Sequence, residues 1–243
     1  MDAAYRTRYG RLYREHWWWR ARERLLTREI ARLSEGRSFG RILDVGCGDG
    51  LFMPVLARFG DPFGVETDAG LLSADGPYRA RIHVGPFDAS YQPAERFGLI
   101  LALDVVEHVG DAPAFLRRVA ELLEPGGWFV ATVPALRALW TSHDDLNAHV
   151  TRYGRDEFAS LVAASGLRVV HARYCFVWLA VAKLLVRGIE RLRRAAPASP
   201  DIPPAPLNKL LELACRAEQA LVQRAQVPFG SSVLLIARHD GGR

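Results

Sequence analysis

Two groups of residues in this 243-residue chain combine types and spacings that do chemistry. The first is Gly46-Cys47-Gly48-Asp49-Gly50, which follows the apolar run Ile42, Leu43 and Val45. Glycines between a strand and a helix let the backbone turn tightly and come close to a ligand with no side chain in the way. The third glycine of a dinucleotide fingerprint would fall at Leu51, which disfavours a nicotinamide or flavin, and no Lys-Ser or Lys-Thr pair follows to make a P-loop. Asp44, just before the turn, suits a ligand bearing an amine or a positive charge. Glu66 follows Gly46 by about 20 residues, the separation at which an acid on the second strand of a βαβ unit accepts ribose hydroxyls. The alternative for Glu66 is a solvated loop carboxylate.

The second group is rich in titratable side chains: Asp104, Glu107 and His108, then His143, Asp144, Asp145, His149, Arg152 and Tyr153. Asp104, Glu107 and His108 either gather a divalent cation or pin their loop and line a substrate mouth without metal. The expectation is the second, with no metal. A histidine titrating near neutrality can take the proton of a hydroxyl that acts as nucleophile. His149 is the preferred base or substrate anchor, with His143 and His108 as further candidates; the alternative is that each merely bonds its own loop. Cys47, inside the glycine turn, is poorly placed to attack an acceptor.

These residues need a framework that brings them to one edge. Strands are expected at Ile42–Val45, Pro62–Val65, Arg81–Val84, Phe97–Leu103, Trp128–Val133, Leu167–Tyr174 and Ser231–Ala237. A helix is expected from Leu51 to Phe59, another capped by Asp68, another started by Asp111 and Pro113, and one from Arg155 to Ser165 closed by Gly166. Phe97 to Leu103 is unbroken apolar sequence, as at the centre of a parallel sheet covered on both faces. The first 35 residues read as helix, with Trp19, Leu26, Ile30 and Leu33 on one face. Trp17, Trp18 and Trp19 sweep about 200° of that helix, so at least one is expected outside the core. Between the last two strands, Phe176–Arg194 and Leu207–Ala225 read as amphipathic helices around the proline-rich stretch Pro197–Pro206. Lys183, Arg187, Arg191 and Arg194 share a stripe of the first helix. It is read either as part of a packed lid or as a surface lying in a membrane interface with its cations toward lipid phosphate.

Composition agrees with a globular enzyme: 49% hydrophobic and 24% charged, with a net charge of +5 concentrated in two arginine-rich patches. Cys47, Cys175 and Cys215 have neither disulfide-framework nor metal-finger spacing. No apolar leader core is visible at the start, so a cytoplasmic location is expected, with peripheral contact at the inner membrane face as an extension.

The Leu-Asp-Val-Gly-Cys-Gly decade resembles the first segment of class I S-adenosylmethionine-dependent methyltransferases. Asp104-Val105-Val106-Glu107-His108 and Leu122-Leu123-Glu124-Pro125-Gly126-Gly127 resemble segments of the ubiquinone-biosynthesis O-methyltransferase group. The His-x-x-Arg-Tyr run from His149, and His16-Trp17-Trp18 followed by Arg20 and Arg22 in the first helix, resemble features of the same group. The resemblance implies a Rossmann-like seven-stranded sheet in the order 3-2-1-4-5-7-6, and S-adenosylmethionine as cofactor. Three regions follow: an N-terminal helical cap (1–38), a donor-binding domain (39–175 with 231–239), and a helical insertion (176–230) facing substrate or membrane. It implies donor contacts at Asp44, Gly46, Gly48, Gly50, Glu66 and Leu103, with Asp88 accepting the adenine amino hydrogens and the Ala89 backbone beside it. The function implied is methylation of a hydroxyl on a lipophilic small molecule. The alternatives are a membrane-associated assembly protein that binds donor without turnover, and a nucleic-acid methyltransferase. The latter would want Asn/Asp-Pro-Pro-aromatic where this chain has Asp104-Val105-Val106-Glu107, and no specific nucleic-acid partner is expected.

Overall fold

A computed structural model describes residues 3–193, 201–222 and 227–241. Helices α1 (Ala3–Glu15) and α2 (Trp17–Ser34) lead into β1 (Arg41–Val45), α3 (Met53–Leu56), β2 (Asp61–Glu66), β3 (Ile82–Val84) and β4 (Phe97–Leu103). Next come α4 (Ala112–Leu122), β5 (Leu123–Pro134), α5 (Ser142–Leu146), α6 (Arg155–Ala163) and β6 (Arg168–Cys175). The chain closes with α7 (Val177–Arg193), α8 (Ala205–Val222) and β7 (Ser232–Arg238). The seven strands form one sheet in the order β3-β2-β1-β4-β5-β7-β6. Only β7 runs against its neighbours β5 and β6. The expected fold and strand order are therefore those observed.

Alternate residues of each strand face opposite layers, which explains two separate cores. Leu43, Val45, Ile100, Ala102, Phe129 and Ala131 pack with Phe115, Leu116 and Val119 of α4 and Phe158 and Val162 of α6. Ile42, Leu99, Leu101, Val130, Leu234 and Ile236 pack with Ala21, Leu25, Leu26 and Ile30 of α2. At about 1.5–3 kcal/mol per fully buried large apolar side chain, these two layers supply most of the drive to fold. They also bring the carboxyl ends of β1, β2, β4 and β5 to one edge.

Several local expectations are corrected. The helix after the glycine turn is a single turn, Met53–Leu56, with turns on either side. The chain must return by Asp61, whose N–H meets the Gly40 carbonyl at 2.7 Å, so a longer helix has no room. Asp68 caps a short 3-10 turn, Ala69–Leu71, by accepting from Gly70 N–H at 2.8 Å. The Pro125-Gly126-Gly127 segment lies within β5, where the pairing to β4 shifts register between Phe97 and Leu99.

None of the three tryptophans is left fully exposed. Trp17 packs on Trp178 (5.4 Å between centroids), Trp18 on Phe176 (4.5 Å), and Trp19 edge-on to Tyr9 (6.2 Å). The helix is flanked by α1 on one side and the insertion on the other, so all three directions are occupied. The insertion and the N-terminal helix form one layer: Gln219 of α8 donates to the Ala21 carbonyl at 2.8 Å, and Glu212 takes Arg20, Arg24 and Arg216. Asn208 accepts from Trp17 N–H at 3.0 Å, serving the start of α2 from the far end of the sequence. Arg194 and Pro197 to residue 200 of the proline-rich stretch lie outside the described residues, as do Ala225 and the side chain of Arg191.

Candidate active site

The glycine turn is held by backbone geometry. Gly46 N–H meets the Val65 carbonyl at 2.8 Å, and Gly46 and Gly48 have φ of 71° and 54°, where only glycine sits without strain. A Cβ on Gly46 would come within 2.6 Å of Val105, whereas one on Gly48 would meet nothing within 4 Å, so at Gly48 the backbone faces open space. Gly50 serves the fold: its Cβ would press on Met53 at 3.0 Å. Cys47 turns under the loop toward Gly64, with burial raising its thiol, in keeping with its expected lack of a nucleophilic role.

Glu66, at the end of β2, is buried and accepts from Gly48 N–H and Asp68 N–H, both at 2.9 Å. A carboxylate offers about four lone-pair sites, so further acceptor capacity remains beside the turn. Asp44 is 4% exposed, and among the described residues no hydrogen bond reaches its carboxylate. Burial pushes it up to about 7, with Arg22 pulling the other way and Glu66 adding to the rise. A buried acid without a partner beside an open backbone turn fits a cationic, ribose-bearing ligand: Asp44 for its ammonium, Glu66 for its hydroxyls. Asp88 is less well placed. Its carboxylate is exposed and accepts from Ser90 N–H (2.8 Å) and Ser90 hydroxyl (2.6 Å) in its own turn, with Ala89 also on the surface.

Asp104 follows Leu103 at the end of β4 in the left-handed region, φ 58°, a strained setting for a non-glycine residue. Its carboxylate receives Arg22 of α2 at 2.8 Å and the Thr132 hydroxyl at 2.9 Å. It therefore does not join Glu107 and His108 in the grouping the sequence suggested. Burial works against the Arg22 charge, but Asp104, Tyr9, Glu107 and Asp44 outweigh it and raise its pKa. In the sequence Arg22 stands only as part of the family's entry-helix resemblance; its contact with Asp104 appears with the docking of α2.

Beyond β5 the second group is assembled around Asp144. Arg152, fully buried, binds it through Nε (2.8 Å) and Nη2 (3.0 Å) and donates Nη1 to the Ala135 carbonyl at 2.8 Å. His149 Nδ1 meets the same carboxylate at 2.7 Å, and Thr141 N–H donates to it at 2.9 Å. Burial alone would raise Asp144, but the bonds from His149 and Arg152 hold it well below the usual carboxylate range. His149 stands edge-on to His108 at 4.9 Å, and burial lowers the His108 imidazole. His143 is on the exposed side of α5, lowered first by partial burial and then by Lys183. Glu107 is fully buried, neither carboxylate oxygen has a partner, and burial raises it well above its ordinary value. Among the described residues, Glu107, His108 and His149 have ligand atoms within 4.8 Å of one another.

The methyltransferase domain family model matches residues 18–172, well over half of the chain. A curated ubiquinone biosynthesis O-methyltransferase from Rhodopseudomonas palustris (strain BisB5) is 37% identical over 108 residues, and one from Bradyrhizobium diazoefficiens is 39% identical over 108. In each case the match covers 42% of this chain and 42% of the relative, so the chain spans about two fifths of the length of the curated relatives it matches. Among solved structures, a putative sarcosine dimethylglycine methyltransferase from Galdieria sulphuraria superposes with a TM-score of 0.59 at 16% identity, over 90% of this chain and 85% of that one. The open glycine turn, Asp44 and Glu66 lie at the carboxyl ends of the strands, where open α/β sheets bind their ligands, and the chain belongs to the methyltransferase domain family.

Proposed function

We propose that the chain transfers the methyl group to a hydroxyl oxygen of a lipophilic small molecule, with His149 as proton acceptor. The observation that carries this reading is the Asp144–His149 contact. Asp144, itself fixed by Arg152, holds Nδ1 and leaves Nε2 as the free nitrogen. Bound S-adenosylmethionine supplies an electrophilic methyl on a sulfonium. Asp44 would take the donor's ammonium, Glu66 its ribose, and the Gly46–Gly50 turn would let the backbone close on it, with Leu103 flanking. His149 would receive the hydroxyl proton as the oxygen–carbon bond forms and the carbon–sulfur bond breaks, its electron pair going to sulfur so that S-adenosylhomocysteine leaves. Holding the reactants in line can account for about 7–11 kcal/mol of barrier, and the positioned base for a further ~10²–10⁴ in rate. His143 and His108 would line the acceptor mouth, and Asp88 with Ala89 would stay peripheral to the adenine.

The lipophilic acceptor is supported by the names of the curated relatives and by exposed leucines on the insertion, Leu184 and Leu185 on α7 and Leu207 and Leu210 on α8. Among the described residues no helix is long and apolar enough to cross a membrane. Peripheral contact through those leucines is the form of membrane association we favour, on the cytoplasmic face. A second reading has the Glu107, His108 and His149 cluster in its favour: a divalent cation there would hold the acceptor oxygen. Incubating lipid extracts with deuterated donor and reading the product by mass spectrometry tests both. A methyl ether formed equally with and without EDTA supports the metal-free reading. Loss with EDTA and recovery with magnesium supports the second, and methyl on carbon or nitrogen sinks the O-methylation reading.

A further inference from the structure

The balance of charge differs between the two sides of the site. On the donor side, the group left without a counter-charge is an acid, Asp44. On the acceptor side, Asp104 is matched by Arg22 and Asp144 by Arg152. Among the described residues, Lys183 of α7 is a cation close to this group that takes part in no ion pair. It lies four residues before Arg187 on the same face of α7, and the charged groups that act on or with it are Arg152, Asp144, Asp104 and His143. Arg187, one helical turn further on, donates to the Ala138 carbonyl in the loop after β5, which places this face of α7 against the site. Val181, Leu184 and Leu185 lie exposed on the rest of the helix. Of the two readings of the lysine and arginine stripe, packed lid or membrane-facing surface, the Arg187 contact favours the packed lid for the described part of it.

Lys183 is partly buried and makes no hydrogen bond or ion pair with any described residue. The two acids that act on it are occupied, whereas Glu107 of the same group is buried without a partner, with burial raising it well above its ordinary value. Both oxygens of Asp144 take Arg152, with His149 and Thr141 as further donors, and those of Asp104 take Arg22 and Thr132. Burial, with Arg152 beside it, lowers the amine to about 8, so the ammonium is held without a matching anion and has one to gain from a ligand.

Building on the acceptor site proposed above, we infer that Lys183 is an acceptor-binding residue whose ammonium receives an anionic group, carboxylate or phosphate, carried by the acceptor molecule. The inserted helix thereby contributes specificity as well as an apolar surface: a cation facing inward and leucines facing out. Such an acceptor is amphipathic, with its acidic and hydroxyl-bearing end at Lys183 and His149.

The test is titration calorimetry on the full chain saturated with S-adenosylhomocysteine. The probes are 4-butylbenzoate, 4-butylphenylphosphonate and the uncharged 4-butylbenzyl alcohol. Wild type is expected to bind an anion more tightly than the alcohol, and the stronger of the two anions identifies the acidic group. Lys183→Met should weaken the anion by about ten-fold or more while leaving the alcohol unchanged, the loss expected for one charge-assisted hydrogen bond. Lys183→Arg should keep most of the preference, and Lys183→Gln repeats the loss should the methionine variant fold poorly. Affinity for S-adenosylhomocysteine, measured first, separates the two levels: its absence in wild type would overturn the methyltransferase site itself. Donor product bound normally with no anion preference, or a preference that survives Lys183→Met and Lys183→Gln, would overturn the inference about Lys183 alone.

Discussion

Around the ends of β1 and β2 the polar partners are mostly backbone N–H groups close together in the fold: Gly48 and Asp68 on Glu66, Gly70 on Asp68. Around the ends of β4 and β5 they are long side chains from distant segments: Arg22 on Asp104, Arg152 on Asp144, with Lys183 arriving from α7. The first region is a turn that needs glycine and one acid. The second is a network that needs several helices docked before it exists. A backbone cradle suits a donor common to many enzymes, and a side-chain network suits an acceptor that differs among them, because loops and insertions change more freely than a strand-turn.

The comparison breaks most visibly at Arg152. Arg152→Ala would leave Asp144 buried without its main partner, a loss of about 3–5 kcal/mol, read as a lower melting temperature and urea midpoint. A cost below about 1 kcal/mol would mean that water or His149 replaces the guanidinium, and that the network is looser than its geometry implies. Glu66→Ala should act on the other side. Donor affinity falls by about 1.5–3 kcal/mol for each charged hydrogen bond lost, with folding less affected than in Arg152→Ala. Unchanged affinity in calorimetry would remove Glu66 from the donor site.

The two sides also respond oppositely to pH. Asp44 has its pKa raised from 3.8 to about 7, so the folded state binds the extra proton and loses stability as pH rises through that window. Asp144 is held below its ordinary value, so its contribution is present above that value and lost as pH falls below it. In the ligand-free protein, Asp44→Asn should flatten the decline in melting temperature between pH 5 and 7, by roughly a few degrees. Affinity for a donor ammonium should rise through pH 7 in wild type and not in that variant. A stability profile indistinguishable between the two would show that Asp44 is hydrated in solution.

Legibility in the sequence follows the same division. Gly46, Gly48 and Glu66 could be read because a turn and a strand end are fixed by spacing. The strand order came with the family resemblance. His149 stood out by residue type, but its contact to Asp144 and the burial of Arg152 depend on the closing of the loop after β5. Arg22 was legible only as part of the entry-helix resemblance, and its pairing with Asp104 was not, since an arginine on a helix that also carries Arg20, Arg24 and Arg28 gains a partner only when α2 docks. Asp104, grouped with Glu107 and His108 by proximity in sequence, pairs with Arg22, a residue 82 positions earlier that sequence proximity could not bring to it. The short α3 shows a similar limit: an apolar run fits a longer helix until Asp61 has to pair with Gly40.

The division of labour is tested most directly by one pair of readings on His149→Ala: affinity for S-adenosylhomocysteine by calorimetry, and transfer of deuterated methyl to the acceptor in lipid extract. Affinity within about two-fold of wild type, with transfer slowed by ~10² or more, is the predicted result. Transfer at the wild-type rate, or donor product lost together with transfer, would contradict it.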